Sequence, residues 1–267
     1  MTAVEDVFAQ LRSQSKRAFM PFITAGDPDL EFTAECLKTL DAAGSSLIEL
    51  GIPYSDPIAD GPTIQASYTR ALNAGVHLDG IFEMASKVVP KLSAPVVTMV
   101  SYAIIFRMGT DEYLRRAKAA GFAGAIVPDL PADESDEFAS ECAANDFSLI
   151  QLVTPTTPLE RAAVIAKKST GFLYYVSIAG ITGARTELPS DLVENLRALR
   201  QKTDLPICVG FGISQPSHAE MLKPVADGII VGSAIVRKME TIHDDETRSK
   251  SLAEISDFVR SMVEAVE

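Results

Sequence analysis

The sequence has few of the residues that build metal, redox or disulfide sites. It contains no tryptophan, three histidines and three cysteines in 267 residues. Cys36, Cys142 and Cys208 lie far apart and outside any C-x-x-C pattern, which excludes the common zinc and redox motifs. No histidine ends a predicted strand, so no metal site and no Ser-His-Asp triad is expected. Three free, buried thiols are typical of a cytoplasmic protein.

Basic clusters and long apolar runs are also missing. The net charge is −12, from 36 acidic and 24 basic residues, and no basic stripe indicates nucleic-acid binding. No apolar run reaches the roughly 18 residues of a membrane span. The first residues, MTAVEDVF, are acidic and amphipathic, so we predict no signal peptide. We therefore expect neither a nucleic acid nor a membrane as partner.

Short apolar runs alternate with amphipathic helical patterns along the whole chain. Such continuously apolar runs are typical of parallel strands buried on both faces, and each intervening helix returns the chain. The eight predicted strands are 19–24, 46–50, 96–100, 124–127, 148–152, 172–176, 206–209 and 228–231. With no break in composition, they predict an α/β fold: a single (β/α)8 TIM barrel spanning residues 1–267.

Extra helices are predicted at three places around this barrel. Residues 2–14 should cover its bottom, 63–74 and 78–92 follow the second strand, and 233–241 and 246–266 follow the eighth. The loop 177–189 is rich in glycine and threonine, and we predict that it forms a mobile lid. Such loops at the carboxyl ends of barrel strands usually carry the active site.

Acidic residues concentrate at the second predicted strand and its loop. Glu49 lies among aliphatic residues, where burying an unpaired carboxylate is costly. A structural ion pair would be the ordinary explanation for one such glutamate. A second acid, Asp60, follows in a loop that contains Pro53 and Pro57. The pair favours a catalytic role at the end of this strand.

Apolar and aromatic side chains are expected at the same rim of the barrel. They are Phe22, Ile64, Val100, Tyr102, Ile126, Tyr174 and Phe211. Apolar walls with a few acids suit an aromatic substrate, although barrel packing is the simpler interpretation of any single one.

Three glycine-containing turns follow the last three strands. They read AGITG at 179–183, VGFGIS at 209–214 and VGSA at 231–234. Glycine lets backbone N–H groups approach an anion, and phosphate sites recur after strands seven and eight of barrels. The turn at 210–212 is no dinucleotide fingerprint, because Gln215 stands where the third glycine would be. These turns predict a phosphate site.

The residue types that are absent from the predicted strand ends exclude two further classes of reaction. No lysine ends a predicted strand, so a Schiff-base aldolase lacks its nucleophile. No histidine cluster exists, so a metal aldolase lacks its ligands. Carboxylates, an apolar pocket and a phosphate site remain, and they suit proton transfer on a phosphorylated substrate that has an apolar group.

Five segments in order resemble the alpha subunit of tryptophan synthase. They are 19–28 (FMPFITAGDP), 49–62 (ELGIPYSDPIADGP), 129–131 (DLP), 180–185 (GITGAR) and 210–214 (GFGIS). The resemblance implies retro-aldol cleavage of indole-3-glycerol phosphate to indole and glyceraldehyde 3-phosphate. It implies that Glu49 is the acid–base residue, that Asp60 binds the indole N–H, and that Thr182 orders the lid. The implied phosphate site consists of Gly183, Gly212, Gly232 and Ser233.

The resemblance also implies a partner. In the family, indole passes to a beta subunit that carries pyridoxal phosphate, in an assembly of two alpha and two beta chains, while the alpha chain has no cofactor. The implied interface includes Pro53, Asp56, Pro57 and Ile104. The family usually has asparagine where Ile104 follows Tyr102 by two residues, a departure that concerns coupling between subunits more than chemistry. The alternatives are a stand-alone indole-releasing lyase and a catalytically silent regulatory barrel.

Overall fold

The computed structural model describes residues 1–57, 60–177 and 188–267. Eight parallel strands close into a barrel in sequence order, which confirms the predicted fold. The strands are β1 (Ala18–Thr24), β2 (Ile48–Gly51), β3 (Val96–Met99), β4 (Gly124–Ile126), β5 (Ser148–Val153), β6 (Leu173–Val176), β7 (Ile207–Gly210) and β8 (Gly228–Val231).

Helices surround the barrel. They are α1 (Ala3–Ser13), α2 (Leu30–Ala42), α3 (Pro62–Asn73), α4 (Leu78–Val88), α5 (Tyr102–Met108), α6 (Thr110–Ala119), α7 (Asp136–Ala144), α8 (Leu159–Lys168), α9 (Leu192–Arg200), α10 (Pro216–Leu222), α11 (Ser233–Met239) and α12 (Asp245–Val266). Two short helices, α5 and α10, were not predicted. Within the described ranges, no helix has both the length and the apolar character needed to cross a membrane.

Two apolar cores lie on either side of the strands, because successive strand residues point to opposite faces. The inner core fills the barrel, and the outer core joins the strands to the helices. Helix α1 closes the bottom with Val4 and Phe8, and the ring of Phe8 lies 5.7 Å from that of Phe172. The hydroxyl of Ser148, at the start of β5, donates to Thr2 Oγ1 at 2.8 Å. These contacts place α1 where the sequence predicted it.

An ion pair with a buried aspartate fixes α3 at the upper rim. Arg70 Nε and Nη2 on α3 donate to Asp27 Oδ1 at 2.9 Å and Oδ2 at 2.7 Å. Asp27 follows β1, and its side chain is 1% exposed. The hydroxyls of Thr24 and Ser67 add a second link of 2.6 Å between the same elements. The start of α3, which follows Asp60, therefore has a fixed place above the barrel.

Candidate active site

A cavity opens at the carboxyl ends of the strands. Counted out to its open mouth, the empty space is about 750 Å³. Nine residues singled out from the sequence line it: Phe22, Glu49, Asp60, Ile64, Tyr174, Phe211, Gly212, Gly232 and Ser233. Eight others do so as well: Gly61, Thr63, Met99, Ile213, Ser214, Ile230, Ala234 and Arg237.

Other residues singled out from the sequence lie elsewhere. Val100 is 1% exposed and belongs to the outer core, because Met99 is the residue of β3 that faces inward. Ile126 is fully buried inside the barrel but does not line the cavity. Tyr102 begins α5, with its ring 6.2 Å from that of Phe138. Thr182, Gly183 and most of the predicted lid, residues 178–187, lie outside the described part of the chain.

Glu49 is held at the cavity wall without a partner. It pairs in register with Phe22 of β1 and Val97 of β3. It is 0% exposed, and neither carboxyl oxygen has a hydrogen-bond partner among the described residues. Burial therefore raises the pKa of Glu49 well above its usual range. Its carboxyl group keeps a proton at higher pH than an ordinary glutamate does, which suits a residue that gives and takes protons.

Asp60 is the second acid of the wall, and its backbone is fixed. Its N–H donates to the carbonyl of Pro57 at 3.1 Å, and its carbonyl accepts from Gln65 Nε2 at 2.8 Å. The residue is 7% exposed, and burial raises the pKa of its carboxyl group to about 6. At neutral pH Asp60 is mainly ionised. Burial thus raises the pKa of both acids of the wall, that of Asp60 to about 6 and that of Glu49 well above its usual range.

Buried tyrosines adjoin these acids. Tyr68 and Tyr174 are 1% and 3% exposed. Burial, with the negative charges of Asp60 and Glu49, raises the pKa of both phenols well above the usual value. Both side chains are therefore neutral. Tyr68 was not singled out from the sequence, although it follows Ile64 by four residues and so lies on the same face of α3.

Another part of the cavity wall is formed by the turns after β7 and β8. We call Gly212, Gly232 and Ser233 the glycine end. Gly212 has a φ of +71°, and Phe211 before it has a φ of +69°. Ser177 supports this turn, since its N–H donates to the carbonyl of Gly210 at 2.9 Å and its hydroxyl donates to that of Phe211.

Gly210 is required by the packing beneath this turn. A Cβ atom at this position would lie 2.1 Å from Tyr174 Oη, a distance that no real contact shows. The ring of Phe211 meets that of Tyr174 edge-on, with centroids 6.1 Å apart. The apolar middle of the cavity and the glycine end are therefore joined by direct contacts.

These features define an enzyme of the (β/α)8 barrel class, with two buried carboxyl groups and close-approach backbone in the wall of one cavity. The family model described as tryptophan synthase alpha chain matches residues 8–267. The alpha chain of Rhodopirellula baltica is 49% identical over all of this chain and 99% of its own length. That of Picosynechococcus is 48% identical over the full length of both.

Solved structures indicate the same family as the sequence relatives do. A Mycobacterium tuberculosis tryptophan synthase structure superposes with a TM-score of 0.89 at 29% identity, covering 99% of this chain and 98% of that one. A Pyrococcus furiosus alpha-subunit mutant gives a TM-score of 0.84 at 36% identity, covering 93% and 99%. The chain belongs to the tryptophan synthase alpha chain family. It is a lyase of tryptophan biosynthesis, as the sequence motifs indicated.

Proposed function

We propose that this chain cleaves indole-3-glycerol phosphate by proton transfer through Glu49. Protonated Glu49 gives its proton to C3 of the indole ring. The carboxylate then takes the proton of the neighbouring side-chain hydroxyl, the carbon–carbon bond breaks, and its electrons return to the ring. Indole and glyceraldehyde 3-phosphate leave, and Glu49 is protonated again. The observation that carries this proposal is the buried, unpartnered carboxyl of Glu49 at the cavity wall.

In this proposal Asp60 accepts the indole N–H and stabilises the positive charge that forms on the ring. Such a role needs an ionised carboxylate close to a developing charge in a water-poor site. Phe22, Ile64, Tyr174 and Phe211 supply apolar contacts to the ring, because they line the same cavity. Val100, Tyr102 and Ile126 do not line the described cavity, and their contact with the substrate stays a prediction. We assign phosphate binding to Gly183 and ordering of the lid to Thr182, as the family resemblance implies.

We place the substrate phosphate at the glycine end. Gly212 lines the cavity in a left-handed turn and has no side chain of its own. Ser233 adds a hydroxyl at the first turn of α11. The acids and the glycine end then hold opposite ends of one extended substrate, so the apolar middle receives the indole ring.

The assay that tests this function is indole release from indole-3-glycerol phosphate across pH. We expect kcat/KM to fall about tenfold for each pH unit below about 6, because Asp60 becomes neutral there. In Asp60→Asn this decrease of kcat/KM at low pH (the acid limb) should disappear, and the remaining rate of indole release should be low at every pH. Asp56→Asn, in the same loop but exposed, should keep the limb. A parent profile that stays flat down to about pH 5 would contradict the role of Asp60.

We further propose that a beta subunit docks beside the cavity in an assembly of two alpha and two beta chains. Family membership implies such a partner. Pro53 and Ile104 line one apolar cleft between the β2 loop, α4 and α5. Phe106, on α5, is 73% exposed. Asp56 is exposed and Pro57 half-buried in the adjoining loop. A partner here would receive indole directly.

Pyridoxal phosphate would belong to that partner alone, and this chain would work without a cofactor. We also propose a cytoplasmic location, because the buried cysteines Cys36, Cys142 and Cys208 are free thiols.

Replacing Phe106 by serine should weaken binding of the beta subunit by at least about tenfold, since exposed aromatics at interface centres contribute most of the affinity. The affinity is measured by titrating the chain with the beta subunit and following complex formation by ultracentrifugation and by indole release. Met221→Ser is the matched control, because Met221 is 50% exposed on α10. Equal affinities for the two variants would reject this docking surface, and no complex at micromolar concentration would favour a stand-alone lyase.

A further inference from the structure

One basic side chain lines the cavity among the described residues. Arg237 lies on α11, four positions after Ser233, and both contribute to the cavity wall. Positions four apart share one face of a helix, so the guanidinium and the glycine end belong to the same side of the cavity. The acids Glu49 and Asp60 are the ionisable carboxyl groups of that wall.

The guanidinium of Arg237 is not used in an ion pair within the described part of the chain. Arg70, Arg200 and Arg248 each contact a carboxylate, on Asp27, Asp227 and Asp29 respectively. No described carboxylate lies within ion-pair distance of Arg237. As far as the described residues are concerned, its charge is therefore available to a ligand.

A doubly charged phosphate meets an unfavourable environment in this protein. The chain has a net charge of −12, and the same cavity contains two acids. Backbone donors at the glycine end add no formal positive charge. Arginine adds one, and its planar group gives paired, charge-assisted hydrogen bonds to phosphate oxygens.

We propose that Arg237 is the residue that makes the site specific for a dianionic phosphate ester. It binds the phosphate on the side of the cavity that Ser233 lines and leaves the indole region untouched. This inference rests on the proposed function, because it assigns the charged end of that substrate.

The test compares Arg237→Met with Arg237→Lys and with a matched control, Lys238→Met. Lys238 carries the same charge on the same helix, but its Nζ lies 5.6 Å above the ring of Phe258, and it does not line the cavity. Binding of glycerol 3-phosphate and of indole is measured separately by calorimetry at two salt concentrations. Turnover is measured with indole-3-glycerol phosphate and with indole-3-glycerol, which lacks the phosphate.

We expect Arg237→Met to weaken glycerol 3-phosphate binding by about 10- to 100-fold and to leave indole binding unchanged. Arg237→Lys should recover part of the loss, and Lys238→Met should resemble the parent. The parent's preference for the phosphorylated substrate should shrink in Arg237→Met by the same factor. The salt dependence of phosphate binding should also decrease.

Two results would overturn the inference. One is parent-like binding of glycerol 3-phosphate by Arg237→Met. The other is an equal loss of indole and glycerol 3-phosphate binding, which would mean that Arg237 only supports the structure. The binding experiment does not depend on turnover, so a parent chain that binds glycerol 3-phosphate but cleaves no substrate would reject the proposed reaction and leave Arg237 to be judged by affinity.

Discussion

Glu49→Gln should lower the kcat of indole release by about three to four orders of magnitude, with ligand affinity retained. Glutamine has the same shape but cannot transfer a proton, and general acid–base groups contribute factors of about 10² to 10⁴. Single-turnover cleavage and binding of glycerol 3-phosphate measure the two effects separately. Indole release near the parent rate would contradict the assignment of Glu49.

The same variant should be more stable than the parent at alkaline pH. Because burial raises the pKa of Glu49 in the folded chain, folding favours the protonated form, and the free energy of unfolding decreases as pH rises above the pKa of the unfolded chain. Glutamine removes this dependence. The stability gain should therefore be largest near pH 8 and should vanish near pH 4, in denaturant titrations. A stability gain that is the same at both pH values would mean that ionisation of Glu49 does not destabilise the folded chain.

Gly212→Val should abolish detectable binding of glycerol 3-phosphate. The backbone of Gly212 has a φ of +71°, where a β-branched side chain is strained, and valine would add bulk at a position that lines the cavity. Stability should also fall, by about 1–2 kcal/mol, because the left-handed conformation is unfavourable for valine. Calorimetric titration and thermal unfolding separate the loss of affinity from the loss of stability.

Gly75→Val is the matched control for the backbone strain. Gly75 has a φ of +77°, and a Cβ atom there would have no neighbour within 4 Å. It connects α3 and α4, outside the cavity lining. We expect a similar loss of stability and unchanged binding of glycerol 3-phosphate. If both variants lose binding equally, the effect at Gly212 is only a loss of folded protein.

The strands could be predicted because a parallel barrel buries them on both faces. Each continuous apolar run therefore corresponds to one strand, and all eight are present. Helix α5 was not predicted because its seven residues, YAIIFRM, show no clear polar face. Its start is fixed by Asp129, which accepts from the N–H of Tyr102 at 2.7 Å and from the Ser101 hydroxyl at 2.6 Å. Because Tyr102 and Asp129 are 27 residues apart, no local sequence pattern indicates this contact.

The cavity lining was only partly predictable for a related reason. A sequence shows where a strand ends, but a shift of one residue reverses the face on which a side chain lies. Met99 lines the cavity where Val100 was expected, and Arg237 lines it although it resembles any surface arginine of a helix. Residues such as Glu49 could be predicted because a carboxyl group in an apolar strand is unusual in itself.

The closure of the barrel has a consequence for the synthesis of the chain. The last strand pairs with the first, so that Ala18 lies opposite Gly228 and Pro21 opposite Val231. Helix α1, although it is made before the strands, packs against residues near 148 and 171. Contacts so distant in sequence form slowly. During translation, the sheet therefore keeps an open edge until β8 has been synthesised. The cavity, whose wall includes Glu49 and Ser233, is complete only after that.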